Sequence, residues 1–206
     1  MPTTLLFIRH GVTDWNIAKR WQGHSDVPLN ETGRAQAAAL ARRLANWPIE
    51  QIISSDLQRC AQTAEAIAAY HPHLEVQYDA IWRERDVGAF AGFTFAELQE
   101  RFPEIWAKAE RGKLNPPGGE PYTAVYQRAL AAYNKVVAAH TGQMVAIVTH
   151  GGILHALISQ LIHIQEDKYG RFSLRGNTGL SIVEVTDEGE PYLIRLNDTS
   201  HLEMAR

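Results

Sequence analysis

The chain has 206 residues, enough for one domain with a substantial buried core and a small appendage. Its 45% apolar and 21% charged residues exclude a disordered or fibrous chain. A formal net charge of -3, with Lys and Arg scattered rather than run together, lacks the basic footprint of a nucleic-acid binder, so no nucleic-acid partner is expected.

Residues 4–8 are apolar after the first and read as a buried strand that ends at Arg9-His10-Gly11, where glycine permits a sharp turn. This stretch is too short for a signal-peptide core and meets Arg9 at once, and no apolar run elsewhere reaches the length of a membrane span. Asn30 is placed to cap a helix that carries Leu40 and Leu44 on one face and runs to about Trp47, ahead of Pro48. A short strand is expected from Gln51 to Ser54. Asp56 is a second candidate cap, for a helix with Arg59 in its first turn and Ala64, Ile67 and Ala68 on its apolar face. Thr94 and Glu97 have capping-box spacing for a helix through Leu98 and Phe102, with an interruption at Pro103 and a stop at Gly112.

After the loop from Asn115 to Gly119, Pro121 suits a first helical position, and Val125, Ala129, Ala132 and Val136 carry that helix toward Gly142. The opening pattern then returns. Met144 to Val148 is an apolar strand running into Thr149-His150-Gly151-Gly152, followed by an apolar helix from Ile153 to Ile162. Leu180 to Val185 and Tyr192 to Leu196 form a terminal strand pair around the turn Asp187-Glu188-Gly189. Strands alternating with helices predict an α/β fold of three layers, α/β/α, with a mainly parallel central sheet covered on both faces. In such sheets ligands bind beyond the carboxyl ends of the strands, where His10 and His150 would meet.

Cleaving a phosphate monoester requires fixed positive donors, a nucleophile that the dianion does not repel, and an acid for the leaving oxygen. Arg9 and Arg59 can make bidentate bonds to phosphoryl oxygens, His10 can attack through a neutral ring nitrogen, Glu84 can deliver a proton, and His150 can donate to an equatorial oxygen.

The run from Phe7 to Asn16 resembles the Arg-His-Gly signature of the histidine phosphatase superfamily, the phosphoglycerate mutase-like proteins. Further segments match in family order: Trp21 to Leu29 with Gly33 to Ala37, Ser54 to Ala64 around Arg59, Arg83 to Gly88 around Glu84, and Val148 to Gly152. The resemblance implies the phosphoglycerate mutase-like fold with a small helical cap. It implies a phosphohistidine on His10, phosphoryl binding by Arg9, Arg59 and His150, and proton donation by Glu84. It also suggests Asn16, Gln22 and Gly23 as substrate contacts and the Gly151 amide beside the phosphate. No metal or organic cofactor is implied, because the arginines supply the charge that a metal would bring. The chain departs from the family where a serine usually stands at Pro121, where an acidic residue usually stands at Ala124, and at Phe90-Ala91-Gly92 after the acid motif.

The blander readings lose to this set. His71 and His73 flank Pro72, and the nine histidines include no His-Glu-x-x-His pattern for zinc. The single cysteine, Cys60, lacks the arginine six positions on that a cysteine phosphatase needs. It cannot form an internal disulfide, and cytoplasm is the expected compartment. One domain over residues 1–206 is expected, with residues 92–120 covering the pocket. The expected partners are a small phosphorylated substrate and phosphate, with no membrane partner. A mutase would use the same residues, but the segment between Gly92 and Pro116 lacks an Arg-Arg pair and only a short tail follows the last strand. The sequence therefore favours a phosphatase over a mutase, and both over a phospho-ligand binding module without catalysis.

Overall fold

The computed structural model describes residues 2–108, 114–164 and 171–203. Strands β1 (Thr3–Arg9), β2 (Gln51–Ser54), β3 (Val76–Tyr78), β4 (Met144–Thr149), β5 (Leu180–Val185) and β6 (Pro191–Asp198) form one sheet in the order β3-β2-β4-β1-β5-β6. The first four strands in that order are mutually parallel, and β5 runs antiparallel to both β1 and β6. The sheet is therefore mixed and mainly parallel. The turn between β5 and β6 closes by Gly189 donating to the Thr186 carbonyl, as the sequence indicates.

Alternation along the central strands sorts side chains to the two faces. Leu5, Phe7, Val145 and Ile147 face helices α6 (Tyr122–Ala139) and α7 (Gly151–Leu161). Leu6, Ile8, Ala146 and Val148 face α2 (Glu31–Leu44) and α3 (Gln58–Ala68). Every one of these strand residues is fully buried. At about 1.5–3 kcal/mol for each fully buried large aliphatic side chain, the two faces supply the dominant stabilisation. A third, smaller cluster lies outside the sandwich. There α4 (Phe95–Arg101) and α5 (Pro103–Lys108) pack through Leu98, Phe102, Ile105 and Trp106 against Val87, Phe90, Leu114 and Trp21.

Several helix ends follow the sequence. Asn30 accepts from the Gly33 amide at 2.9 Å, and Thr94 with Glu97 forms a complete capping box. The break at Pro103 is present, while the expected stop at Gly112 lies outside the described residues. Gly33 lets the loop after β1 pass over α2, since a Cβ there would meet the Val12 carbonyl oxygen at 2.0 Å.

Other ends are corrected. Asp56 does not cap α3: its carboxylate is held by Arg83, with Nε at 2.7 Å, and Leu57 occupies the cap position. Asp26, from a distant loop, accepts from the Gln58 amide at 2.7 Å and takes over the work of a cap. Pro121 sits one residue before α6 rather than at its first position. Helices α2 and α6 end at Leu44 and Ala139, short of Trp47 and Gly142. A short helix α1 (Asp14–Ile17), capped by Thr13, and the edge strand β3 carry no clear periodic signal.

The turn Ser200–Leu202 folds back onto the segment that precedes β5. The Thr178 hydroxyl donates to the Asn177 carbonyl at 2.7 Å, so the His201 Nε2–H, 2.9 Å from that hydroxyl, is the donor of the pair. Burial, helped by Arg43, pushes the His201 pKa down to about 4. Between that value and the unfolded pKa of about 6.5, the unfolded chain binds a proton that the folded chain does not, so stability falls as pH falls through this window. Asp198, held low chiefly by Arg43, loses its contribution only at still lower pH. The melting temperature is expected to be lower at pH 5 than at pH 7, and His201→Gln should remove part of that difference. A melting temperature unchanged across this interval contradicts the burial of neutral histidine.

Candidate active site

The parallel register of β1 and β4 sets Arg9 opposite Thr149, so the next residues, His10 and His150, leave the sheet side by side. Their rings meet edge to face with centroids 5.2 Å apart. His10 Nδ1 lies 2.7 Å from the Gly11 carbonyl oxygen, which can only accept. The proton therefore sits on Nδ1 and the lone pair on Nε2. Burial first, then Arg59 and Arg9, push the His10 pKa well below its ordinary value. The ring is thus neutral, with a nucleophilic nitrogen.

His150 is fixed by the same logic. Arg59 Nε donates to its Nδ1 at 3.2 Å, which leaves Nε2 to carry the proton and donate to Ser55 Oγ at 3.0 Å. Burial and Arg59 hold its pKa well below the ordinary value. His150 lies behind Arg59 and His10, not on the cavity wall, and both of its nitrogens already have protein partners. Cys60 Sγ packs 3.3 Å from His150 Nε2, fully buried, and burial pushes its thiol pKa up, so it serves as packing.

The two site arginines, Arg59 buried and Arg9 half-buried, are cations with neutral partners. Arg59 is completely buried and donates to the carbonyls of Ser25 at 2.7 Å and Gly23 at 2.8 Å. Arg9 donates through NH1 to the carbonyls of Leu174 and Arg175, while its buried Nε has no hydrogen-bond partner among the described residues. Desolvation lowers the pKa of both, yet a guanidinium keeps its charge. Two cations without a paired carboxylate, one with an orphaned donor, suit a bound phosphoryl group.

Glu84 sits where helix α7 begins. Its carboxylate accepts from the amides of Arg85 at 2.9 Å, Gly152 at 3.0 Å and Ile153 at 3.2 Å. A Cβ on Gly152 would come within 2.4 Å of Glu84 Oε1, so this docking requires glycine there. The Gly151 amide, first in the helix, has no protein acceptor among the described residues and is the one left for an anion. Arg128 fixes the loop that carries the acid: it is paired with Glu120 and donates to the carbonyls of Ile81 at 2.7 Å and Arg83 at 2.8 Å.

A cavity of 270 Å³ collects His10, Arg9, Arg59 and Glu84 with Asn16, Gln22 and Gly23. Thr13 orients the two amides. Asn16 Oδ1 accepts from the Thr13 amide at 3.0 Å and Gln22 Oε1 lies 3.2 Å from the Thr13 hydroxyl, which turns both NH2 groups elsewhere as donors. All the sequence-named residues are therefore together, with His150 one layer back and Gly151 lining the adjoining groove. The sequence reading missed Thr13, Thr63 and the segment Asn177-Thr178. Thr63 Oγ1 accepts from the Gly11 amide at 3.1 Å. Asn177 Nδ2 donates to the His10 carbonyl at 2.9 Å, and the Thr178 amide donates to the Arg9 carbonyl at 3.0 Å. A polar pair between Gly176 and Gly179, just ahead of β5, is the only signal the sequence holds for that clamp. Among the described residues no group of three or more His, Cys, Asp or Glu could hold a metal ion.

The family model of the histidine phosphatase superfamily (branch 1) matches residues 5–199. A metal-independent phosphoserine phosphatase of Arabidopsis thaliana is 33% identical over 97% of this chain and 83% of its own length. The solved structure of Bacillus stearothermophilus YhfR superposes with a TM-score of 0.90 at 32% identity, covering 97% of this chain and 99% of that one. The phosphoserine phosphatase of Entamoeba histolytica, in complex with 3-phosphoglyceric acid, superposes at 0.84 with 27% identity, covering 97% and 99%. The family match covers nearly the whole chain, the fold superposes on these structures along almost their full length, and the chain belongs to branch 1 of the histidine phosphatase superfamily.

Proposed function

We propose that the protein is a phosphomonoesterase that hydrolyses small phosphorylated metabolites through a phosphohistidine on His10. The observation that carries this reading is the neutral His10 ring, its lone pair on Nε2, beside the half-buried cation Arg9 and the buried cation Arg59. The guanidinium groups, the Gly151 amide and the NH2 groups of Asn16 and Gln22 take the phosphoryl oxygens. His150 acts mainly by holding Arg59 in place. Nε2 bonds to phosphorus as the ester P–O bond breaks, and Glu84 gives a proton to the leaving alkoxide. Water then attacks phosphorus, Glu84 takes its proton, the N–P bond breaks, and phosphate departs. No cofactor takes part.

The same residues would serve a mutase, but a mutase must keep water from the intermediate. Here the phosphoryl cavity adjoins a groove of 720 Å³ that shares Arg9, Glu84 and Gly152 with it, which favours hydrolysis. The names of the relatives point to phosphorylated small acids as the substrate class. Residues 92–120 are taken as the pocket cover of one domain spanning residues 1–206. No helix among the described residues is long and apolar enough to cross a membrane, and the lone thiol fits a cytoplasmic enzyme.

His10→Ala is expected to lower p-nitrophenyl phosphate turnover by about a thousandfold or more, with an unchanged circular dichroism spectrum. Turnover above about a tenth of wild type rejects His10 as the nucleophile. Glu84→Gln should cost roughly a hundredfold on an alkyl phosphate and much less on p-nitrophenyl phosphate, whose leaving group needs no proton. Equal losses on the two substrates remove Glu84 from the donor role. Gly152→Ala should displace the Glu84 carboxylate and reproduce that pattern, about tenfold or more in kcat on the alkyl ester with little change in KM. An unaltered kcat shows that the docking of Glu84 on α7 is dispensable.

A further inference from the structure

The groove beside the phosphoryl cavity has its own chemistry. Its floor is the first turns of α7, Gly151, Gly152 and His155, and its far wall is the segment from Arg171 to Arg175. Phe172 stacks on His155 at 4.4 Å with planes 9° apart, which fixes that wall, and the Arg9 guanidinium grips the carbonyls of Leu174 and Arg175 from the phosphoryl side. Arg9 and Glu84 line both spaces. With Glu84 as the proton donor to the leaving oxygen and part of both linings, an alcohol leaving beside that carboxylate would extend into the groove.

The arginines around the site divide by what they already hold. Arg59 is committed to two carbonyls and His150. Arg20 donates to the Gly92 carbonyl and to Glu97. Arg85 is tied to the carbonyls of Glu120 and Leu114 and lies over the Tyr122 ring. Arg171 and Arg175, both exposed, have no hydrogen bond or ion pair with any described residue, and both reach the groove. Among the described residues its one acid is Glu84, which already accepts from three backbone amides. The described lining of the groove is therefore cationic, and no described residue neutralises the charge of Arg171 and Arg175. We propose that Arg171 and Arg175 form a second anion subsite, which selects phosphomonoesters whose alcohol carries another anionic group, a carboxylate or a second phosphoryl, at its far end. This rests on the phosphatase reading and adds to it the residues that choose the substrate.

The test compares 3-phosphoglycerate with glycerol 3-phosphate, which differ only in a carboxylate against a hydroxymethyl group, and adds glycerol 1,3-bisphosphate as the phosphoryl counterpart. Wild type should favour one of the two substrates that carry a second anionic group over glycerol 3-phosphate by about tenfold or more in kcat/KM, the scale of a lost charged hydrogen bond. The favoured compound identifies the group that is bound. Arg171→Gln/Arg175→Gln, two exposed changes, should collapse that ratio toward unity. A wild-type ratio near one, or a ratio that survives in the double variant, overturns the subsite. Turnover of p-nitrophenyl phosphate by wild type separates the two claims: its absence sinks the phosphatase reading, whereas its presence with unselective ratios sinks only the subsite.

Discussion

Two guanidinium groups held by neutral acceptors, Arg59 in the interior and Arg9 half-buried at its edge, are the constraint on which the site depends. A buried cation is costly unless its protons are satisfied, and the protein satisfies those of Arg59 with two carbonyls and an imidazole rather than a carboxylate. Their charge remains available to a ligand. It also acts on the histidines: burial first, and then the positive charges of Arg59 and Arg9, disfavour their protonation, so both imidazoles are kept neutral, and hydrogen bonding decides which nitrogen of each carries the proton. Cation placement and nucleophile activation are one electrostatic arrangement.

The helix that follows the second histidine serves two anions. Its first amide is open, and its next two hold the Glu84 carboxylate, which positions an acid beside the place where the helix dipole and the arginines draw a phosphoryl group. The arrangement needs a residue without a side chain at Gly152 and a rigid loop before Glu84, and Arg128, paired with Glu120, supplies the rigidity. Serine and an acidic residue, usual in the family at positions 121 and 124, are absent, but the Glu120–Arg128 pair next to them is intact. The departures therefore leave the acid anchored.

The segment before β5 does more than connect. Asn177 and Thr178 fasten the backbone of Arg9 and His10, His201 supports Thr178, and the carbonyls of Leu174 and Arg175 hold Arg9. The wall of the adjoining groove is thus built into the same network as the nucleophile. A single arginine, Arg9, lines both the cavity and the groove.

Alternation and capping made much of this readable from the residues alone. The apolar runs ending at Arg9-His10-Gly11 and Thr149-His150-Gly151 and the caps at Asn30 and Thr94 are local features, and local backbone preference with two-sided burial is enough to fix them, whereas Arg59 and Glu84 stand out only through their resemblance to the family motifs. What the chain alone could not decide depended on partners far apart in sequence. Asp56 has the form of a cap but is claimed by Arg83, while Asp26 serves α3 from another loop. The proton positions on His10 and His150, the layer separating His150 from the cavity, the docking of Glu84 on α7 and the clamp by Asn177 all arise when distant loops converge at the strand ends. Hydrogen-bond geometry and desolvation depend on which groups meet in space, and no periodicity along the chain encodes those meetings.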